Sequence, residues 1–319
     1  TDSAHGTNPA TAVSCGYKVV TLKSDASGYC DLAEVEAAIE KHGTKIAGLM
    51  LTNPNTCGKF EKHVNKIAKL IHDIGAYFYC DGANFNAIVG RIKPADFGVD
   101  VMHFNLHKTF STPHGGGGPG IGPIAVCDEL APYLPTPFVT KQGNEFKLVT
   151  EKDSSIGQVK GFYGQFALMV RALSYMLSMG KDGFAKVSAD AVLNANYVLA
   201  KLKDAFHVPF EGYSMHECLL TDKIQKTQSF TTVDIAKALI EYGFHPMTVY
   251  FPLIVQGAML IEPTETESKQ TLDEFINAML WIAQEVEQGN GDKLKAYPVS
   301  TPRKRVDEVL AARKPKLKN

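Results

Sequence analysis

Charge of one sign, paired cysteines and long apolar runs are all scarce in this chain. Its 33 Lys and Arg nearly cancel 34 Asp and Glu, for a formal net charge of -1. Such a balance gives no electrostatic reason to expect a nucleic-acid partner or an anionic membrane surface. The one basic cluster, Arg303-Lys304-Arg305 with Arg313-Lys314-Pro315-Lys316, is short and reads as a solvated tail. The six cysteines (Cys15, Cys30, Cys57, Cys80, Cys127 and Cys218) include no CxxC pair. A chain of 319 residues does not need disulfide staples, so they read as reduced thiols in a cytosol-like, cytoplasmic compartment. No apolar run reaches transmembrane length, and no signal peptide is visible. The chain opens on Thr1 rather than Met, so its true start is expected to lie elsewhere. There is no internal repeat and no low-complexity segment.

What is present is alternation. Asp31-Leu32-Ala33-Glu34 predicts a capped helix to about His42, with Gly43 as its stop. Ile46–Leu51, Ala76–Cys80, Val99–Phe104 and Ile121–Val126 predict short buried strands, and Gly16–Leu22 alternates like another. Val64, Ile67, Ala68, Ile71 and Ile74 keep helical spacing up to Gly75. Strands alternating with helices predict an α/β fold with a mostly parallel sheet. The pattern weakens over 141–157, which predicts a surface loop. Helices are expected over Phe162–Met179 and Asp182–Phe206. A smaller α+β unit follows, with strands near Glu217–Thr221, Met247–Tyr250 and Ala258–Glu262 and helices over Val233–Tyr242 and Glu265–Glu287. The expected division is a large domain over 1–180 and a small C-terminal domain over 181–319.

In such sheets the ligand crevice lies at the carboxyl ends of the strands. Three polar stretches fall there: Thr52–Gly58, Asp81–Asn84 and His107–Ser111. Lys108 sits between a histidine and hydroxyl residues, ahead of the glycines 115–118. A lysine that must form an imine suits a strand end where partial desolvation keeps its amine neutral. Asp81 can hold a heterocyclic nitrogen protonated; taken alone it also suits a helix cap or turn. Ala83 is small enough to let a flat ring lie against the backbone, and His5, before Gly6, can stack on one. Asn53 and Asn55 offer amides to a phenolic oxygen. Together these residues match the needs of pyridoxal 5'-phosphate (PLP), whose ring withdraws electrons only while its nitrogen stays protonated. A nucleotide loop is the poorer match, because Gly115–Gly120 lacks the Gly-Lys-Ser/Thr ending.

The order histidine, Asn-Pro turn, aspartate, His-Lys resembles the fold-type I PLP enzymes, decarboxylases especially. The segments Ala4–Ala10, Leu51–Thr56, Asp81–Asn84, Asn105–Phe110, Pro113-His114 with its glycines, Leu193–Tyr197, Tyr242–Pro246 and Ile261–Lys269 look like the P-protein family of the glycine cleavage system. Thr52–Thr56 and the ending Ala311–Pro315 are more similar to subunit 2 of the two-subunit type. The resemblance implies an aminotransferase-like large domain. It also implies an N-terminal segment, with part of the phosphate site, ahead of the position that is Thr1 here; the chain is therefore expected to be a fragment.

The same resemblance implies roles for particular residues. Lys108 would carry PLP as an internal imine, Asp81 would keep the pyridinium protonated and His5 would stack on the ring. Ala83, His107, Asn55 and Thr52 would line the cofactor, with Ser111 or Thr109 as phosphate donors. No metal is implied. Glycine would lose CO2, and the aminomethyl group would pass to the lipoyl arm of an H-protein. The implied activity is that of an aminomethyl-transferring glycine dehydrogenase, an oxidoreductase with a disulfide acceptor. Subunit 1 would complete a heterotetramer of two plus two. Alternatives within the same chemistry are another PLP-dependent decarboxylase, lyase or aminotransferase, or an inactive fragment of such a subunit. Arg91 and Arg171 are candidates for the glycine carboxylate.

Overall fold

The computed structural model describes residues 1–318. In chain order the elements are α1 (Thr7–Ser14), α2 (Leu32–His42), β1 (Gly48–Thr52), α3 (Val64–Asp73), β2 (Tyr77–Gly82), β3 (Val101–Phe104), α4 (Leu106–Thr109), β4 (Ile124–Val126), β5 (Phe138–Gln142) and β6 (Glu145–Val149). Then come α5 (Phe166–Leu202), β7 (Cys218–Thr221), α6 (Thr232–Glu241), β8 (Thr248–Val249), β9 (Ala258–Ile261) and α7 (Lys269–Glu287).

The first sheet has the order β1-β2-β3-β4, with β1–β2 and β2–β3 parallel and β3–β4 antiparallel. Side chains alternate across it. Leu49, Leu51 and Phe78 face a core with Val35 of α2 and Val64, Ile67, Ala68 and Ile71 of α3. The opposite face carries Thr52, Asp81 and His103, which the register sets side by side. Gly82 is required at the end of β2, because a Cβ there would collide with the His103 carbonyl. The α2 helix starts where Asp31 accepts the Ala33 N–H at 3.0 Å. It stops at Gly43, whose φ of 51° suits glycine.

The second sheet is antiparallel, in the order β7-β9-β8. Its core joins Leu220, Met259 and Ile261 to Val198 and Leu202 of α5, Ile235 and Leu239 of α6, and Ile276 and Met279 of α7. A 37-residue α5 runs from one sheet to the other and is broken by non-helical Gly180 (φ 60°, ψ -177°). Its first part packs Ala172 against Leu106 and Phe110, the turn that carries Lys108.

Two expectations are corrected. Among the described residues Gly16–Leu22 joins no ladder: it begins in a turn at Gly16 (φ 86°), and at its end the Leu22 carbonyl accepts the Asp2 N–H at 2.9 Å. The stretch over 141–157 is not a plain loop, since β5 and β6 form a hairpin there. The two helices expected on either side of residue 180 are present, meeting at the non-helical Gly180.

Candidate active site

Asp81 is buried at the carboxyl end of β2 and accepts four hydrogen bonds. Its Oδ2 takes the Asn8 amide at 2.9 Å and the Thr52 hydroxyl at 3.3 Å. Its Oδ1 takes the Ala83 N–H at 2.9 Å and His103 Nε2 at 3.0 Å. Burial alone would raise this carboxyl, but His103 and Asn8, then the Ala83 N–H, overcome it and hold the pKa at about 2. The group is an anion throughout the physiological range. His103 is held in turn by Tyr79, whose hydroxyl lies 2.7 Å from Nδ1. Its Nε2 faces two acceptors, Asp81 and the Asn105 side-chain oxygen at 3.2 Å. The proton therefore belongs on Nε2, with Nδ1 accepting from the tyrosine. Burial first, then Asp81, pushes the Tyr79 phenol up to about 12, so it remains a donor.

Lys108 lies on α4, the single turn that follows β3, and β3 pairs with the strand that ends in Asp81. The two side chains thus belong to neighbouring strand ends. The expected desolvation of Lys108 is not found: the residue is exposed. The turn of α4 buries Leu106 and Thr109 and leaves Lys108 on its outer side.

Around Lys108, buried polar atoms lack protein partners: His107 Nδ1, Thr109 Oγ1 and Thr112 Oγ1. The His107 ring meets His114 edge-on, with centroids 4.9 Å apart. Burial, then His114 and Lys108, lowers its pKa, so the ring favours the neutral form. Ser111 is exposed at φ 57°, and its carbonyl accepts Arg171 Nε at 2.6 Å. Arg91 is engaged elsewhere, on the Ala185 carbonyl at 2.9 Å and Ser188 Oγ at 3.2 Å.

Ala83 is half-buried and hands its N–H to Asp81. His5 is exposed just before α1, the helix whose Asn8 grips Asp81; its Nδ1 accepts the Thr7 N–H at 3.2 Å. Asn55 needs correction. Its amide nitrogen is spent on the Gly28 carbonyl (2.8 Å) and Glu61 (2.7 Å), and its oxygen on the N–H groups of Cys57 and Lys59. No donor is left for a phenolic oxygen, and the residue builds the turn. Asn53 differs: fully buried, it leaves Nδ2 without a partner.

Sequence reasoning missed Asn8, His103 and a second polar group formed by His216, Glu217 and Glu262. His103 was legible only as a strand residue, although an aspartate and a histidine near the ends of adjacent strands are a signal for a clamp. His216 and Glu217 precede β7 and Glu262 follows β9, so all three lie at strand ends of the second sheet.

The profile of the aminotransferase class-V family matches residues 3–241. The chain belongs to the aminotransferase class-V family. A second profile, glycine dehydrogenase C-terminal domain, matches residues 187–299 of this class-V chain. A protein of Caulobacter vibrioides named probable glycine dehydrogenase (decarboxylating) subunit 2 is 54% identical over 99% of the chain and 61% of its own length. One of the same name from Exiguobacterium sibiricum is 53% identical over 99% of the chain and 64% of its own length. The chain thus spans less than two thirds of the curated relatives it matches. Among solved structures, a glycine decarboxylase (P-protein) of the glycine cleavage system, in inhibitor-bound form, superposes with a TM-score of 0.71. It is 20% identical and is covered over 61% of its chain by 85% of this one. Cysteine desulfurase from Thermococcus onnurineus gives a TM-score of 0.65 at 16% identity, with 89% of this chain covering 72% of that one. Both share the α/β architecture of this chain.

Proposed function

We propose that this chain carries PLP on Lys108 and takes part in the decarboxylation of glycine, with transfer of the aminomethyl group to the lipoyl arm of an H-protein. The observation that carries the reading is an ionised, four-bonded Asp81 on the strand end next to the turn of Lys108. Relatives half identical over nearly the whole chain, named for glycine dehydrogenase, support the substrate.

The polar atoms present suit the cofactor. PLP supplies a protonated ring that withdraws electrons from the carbon losing CO2. Asp81 holds the proton on the ring nitrogen. Its longest contact, the Thr52 hydroxyl at 3.3 Å, is the one a ring N–H would most easily replace. Asn53, with its unpartnered buried Nδ2, replaces Asn55 as the amide for the phenolic oxygen. His107 Nδ1 and the Thr109 and Thr112 hydroxyls are buried atoms in want of partners, as phosphate ligands would be. His5, just before α1, would cover the ring, and Ala83 would leave it room.

The hairpin β5–β6, the turn before α5 and the first half of α5 expose Phe146 (72%), Phe162 (79%), Phe166 (70%) and Leu177 (75%). So many large exposed apolar side chains support a permanent partner, here subunit 1 in a two-plus-two heterotetramer. The break at Gly180 supports a division into a large domain over 1–180 and a small one over 181–319. Six unpaired cysteines support a reducing, cytoplasmic compartment. Among the described residues no helix is long and apolar enough to cross a membrane.

The test is exchange of labelled bicarbonate into glycine with lipoylated H-protein, run with and without subunit 1. Exchange with the partner, lost in Lys108→Ala together with the cofactor absorbance band, is the expected result. No band in the wild-type chain, or CO2 release from another amino acid without lipoyl protein, overturns the reading.

A further inference from the structure

His216, Glu217 and Glu262 form a polar cluster that the function above does not use. His216 is fully buried, and among the described residues neither ring nitrogen has a hydrogen-bond partner. Its Nε2 stands 3.7 Å from Glu217 Oε2 and 3.8 Å from Glu262 Oε1. These gaps are too wide for hydrogen bonds. One ligand atom from each residue lies within 4.8 Å of the other two. Two ligand atoms each about 2.1 Å from one ion, set at a tetrahedral angle, stand about 3.4 Å apart. The two separations from His216 are slightly longer than that. Glu262, whose side chain is 42% exposed, has the room to turn and close them.

The carboxylates have outer partners of the kind that fix metal ligands. Glu217 turns Oε2 to the gap and leaves Oε1 to the Asn84 amide at 3.4 Å. Asn86 donates to Glu262 Oε1 at 3.0 Å. Both asparagines belong to the segment after β2, in the first sheet, whereas the three cluster residues sit at strand ends of the second. The turn after β1 joins in as well: the Met215 N–H meets the Gly58 carbonyl at 2.7 Å, and a Cβ on Gly58 would strike the Glu217 carbonyl. The cluster therefore stands where the two sheets meet.

We propose that His216, Glu217 and Glu262 bind a divalent first-row transition ion, of the Mn²⁺ or Zn²⁺ kind, as a clasp between the two sheets. An imidazole with two carboxylates suits these ions. The nitrogen ligand argues against Ca²⁺ and Mg²⁺, which favour oxygen throughout, and a set without sulfur argues against Cu(I). The solvent side of Glu262 gives water access to the remaining coordination positions. The role is structural, and it stands whether or not the chain carries PLP.

Two neighbouring carboxylates alone would not mark a site. What marks this one is an imidazole sealed from solvent with both nitrogens unpaired, since buried polar atoms ordinarily find a partner. The two carboxylates match the double charge of the ion, so the filled site is neutral. Without an ion, carboxyls this close avoid a double charge by keeping a proton, which an incoming ion displaces.

Calorimetric titration of the full chain, first stripped with a chelator, with Zn²⁺ and with Mn²⁺ tests this. One ion should bind per chain. Glu262→Gln, on the solvent side of the cluster, should weaken binding roughly 10²-fold, and Asn86→Ala, which removes only an outer partner, roughly 10-fold. The bound ion should raise the Tm of wild type and leave that of Glu262→Gln nearly unchanged. Electron spin-echo spectroscopy of the Mn²⁺-loaded chain should show coupling to one imidazole nitrogen, absent from His216→Ala. No stoichiometric binding, equal affinity in wild type and Glu262→Gln, or a nitrogen coupling that survives His216→Ala overturns the proposal. Should His216→Ala fail to fold, the affinity and Tm of Glu262→Gln decide alone. PLP and glycine are absent from every arm, so the outcome is separate from that of the exchange assay.

Discussion

Asp81 and Glu217 are both buried carboxyls at strand ends, yet their surroundings drive them to opposite states. Asp81 has four donors within 3.3 Å and is held near pH 2. Glu217 has one side-chain donor, the Asn84 amide at 3.4 Å, and a second carboxyl beside it, and it is raised. Burial acts on both in the same direction. What decides is the number of donors aimed at the anion, since each charge-assisted bond offsets part of the desolvation cost. One segment serves both ends of the contrast: Asp81 begins it, and Asn84 and Asn86 reach across to the two glutamates.

The sharpest way to break the contrast is Asp81→Asn. The amide removes the charge and turns an NH2 group toward donors that then lack an acceptor. We expect a loss of about 1–3 kcal/mol, read as a lower urea midpoint. The pH dependence should vanish with it. Asp81 has a folded pKa depressed from 3.8 to about 2. Its contribution of about 2 kcal/mol is therefore fully present above pH 3.8 and is lost as pH falls through 2. Urea titrations of wild type between pH 5 and pH 2 should show that extra acid slope, and Asp81→Asn should not. A slope equal in the two proteins would mean that the clamp does not hold an anion.

Asn8→Ala comes next. It removes one charge-assisted bond, for an expected loss of about 1.5–3 kcal/mol, and moves the acid limb to higher pH. An acid limb left in place would show that the other three donors suffice.

Most of the fold was legible because periodicity reports burial. Val64, Ile67, Ala68 and Ile71 line one face of α3, as their spacing required, and all are buried. Gly16–Leu22 misled because alternation predicts a face and not a partner; the segment has the pattern and no neighbour to pair with. The 138–149 hairpin was missed because both its strands are short and largely exposed, so their few apolar residues, Val139, Phe146 and Leu148, mark no buried face. At the site, Lys108 and Asp81 were legible from residue type at strand ends. The clamp was not, because Asn8 lies 73 residues from Asp81 and its role depends on α1 folding back over the sheet. Asn55 and Asn53 looked equivalent in sequence. Only the hydrogen-bond count separates the saturated amide from the free one. The His216 cluster needs β7 and β9 to pair before its members meet.

Glu217→Gln tests the other half of the contrast through the opposite sign. A carboxyl whose folded pKa is raised binds a proton more tightly folded than unfolded. Its contribution is fully present below the usual value of 4.5 and is lost as pH rises through the folded pKa. Wild type should therefore lose stability on going from pH 5 toward alkaline pH, and Glu217→Gln, neutral at every pH, should lose less. Equal alkaline slopes would place the proton elsewhere.

The smallest expected effect belongs to Asn84→Ala. Its amide spans the Pro54 carbonyl at 3.0 Å and Glu217 at 3.4 Å. The first is an ordinary neutral bond worth about 0.5–1.5 kcal/mol, and the second is too long to add much. If Glu217 is already protonated, as its raised pKa implies, removing a weak donor from it costs little. If Glu217 were an anion resting on this amide, the same substitution would strand a buried charge and cost several kcal/mol. Denaturation of Asn84→Ala beside Asn8→Ala thus compares the two carboxyls directly. A loss for Asn84→Ala as large as that for Asn8→Ala would mean that Glu217 is charged, and that the two ends of the site are alike.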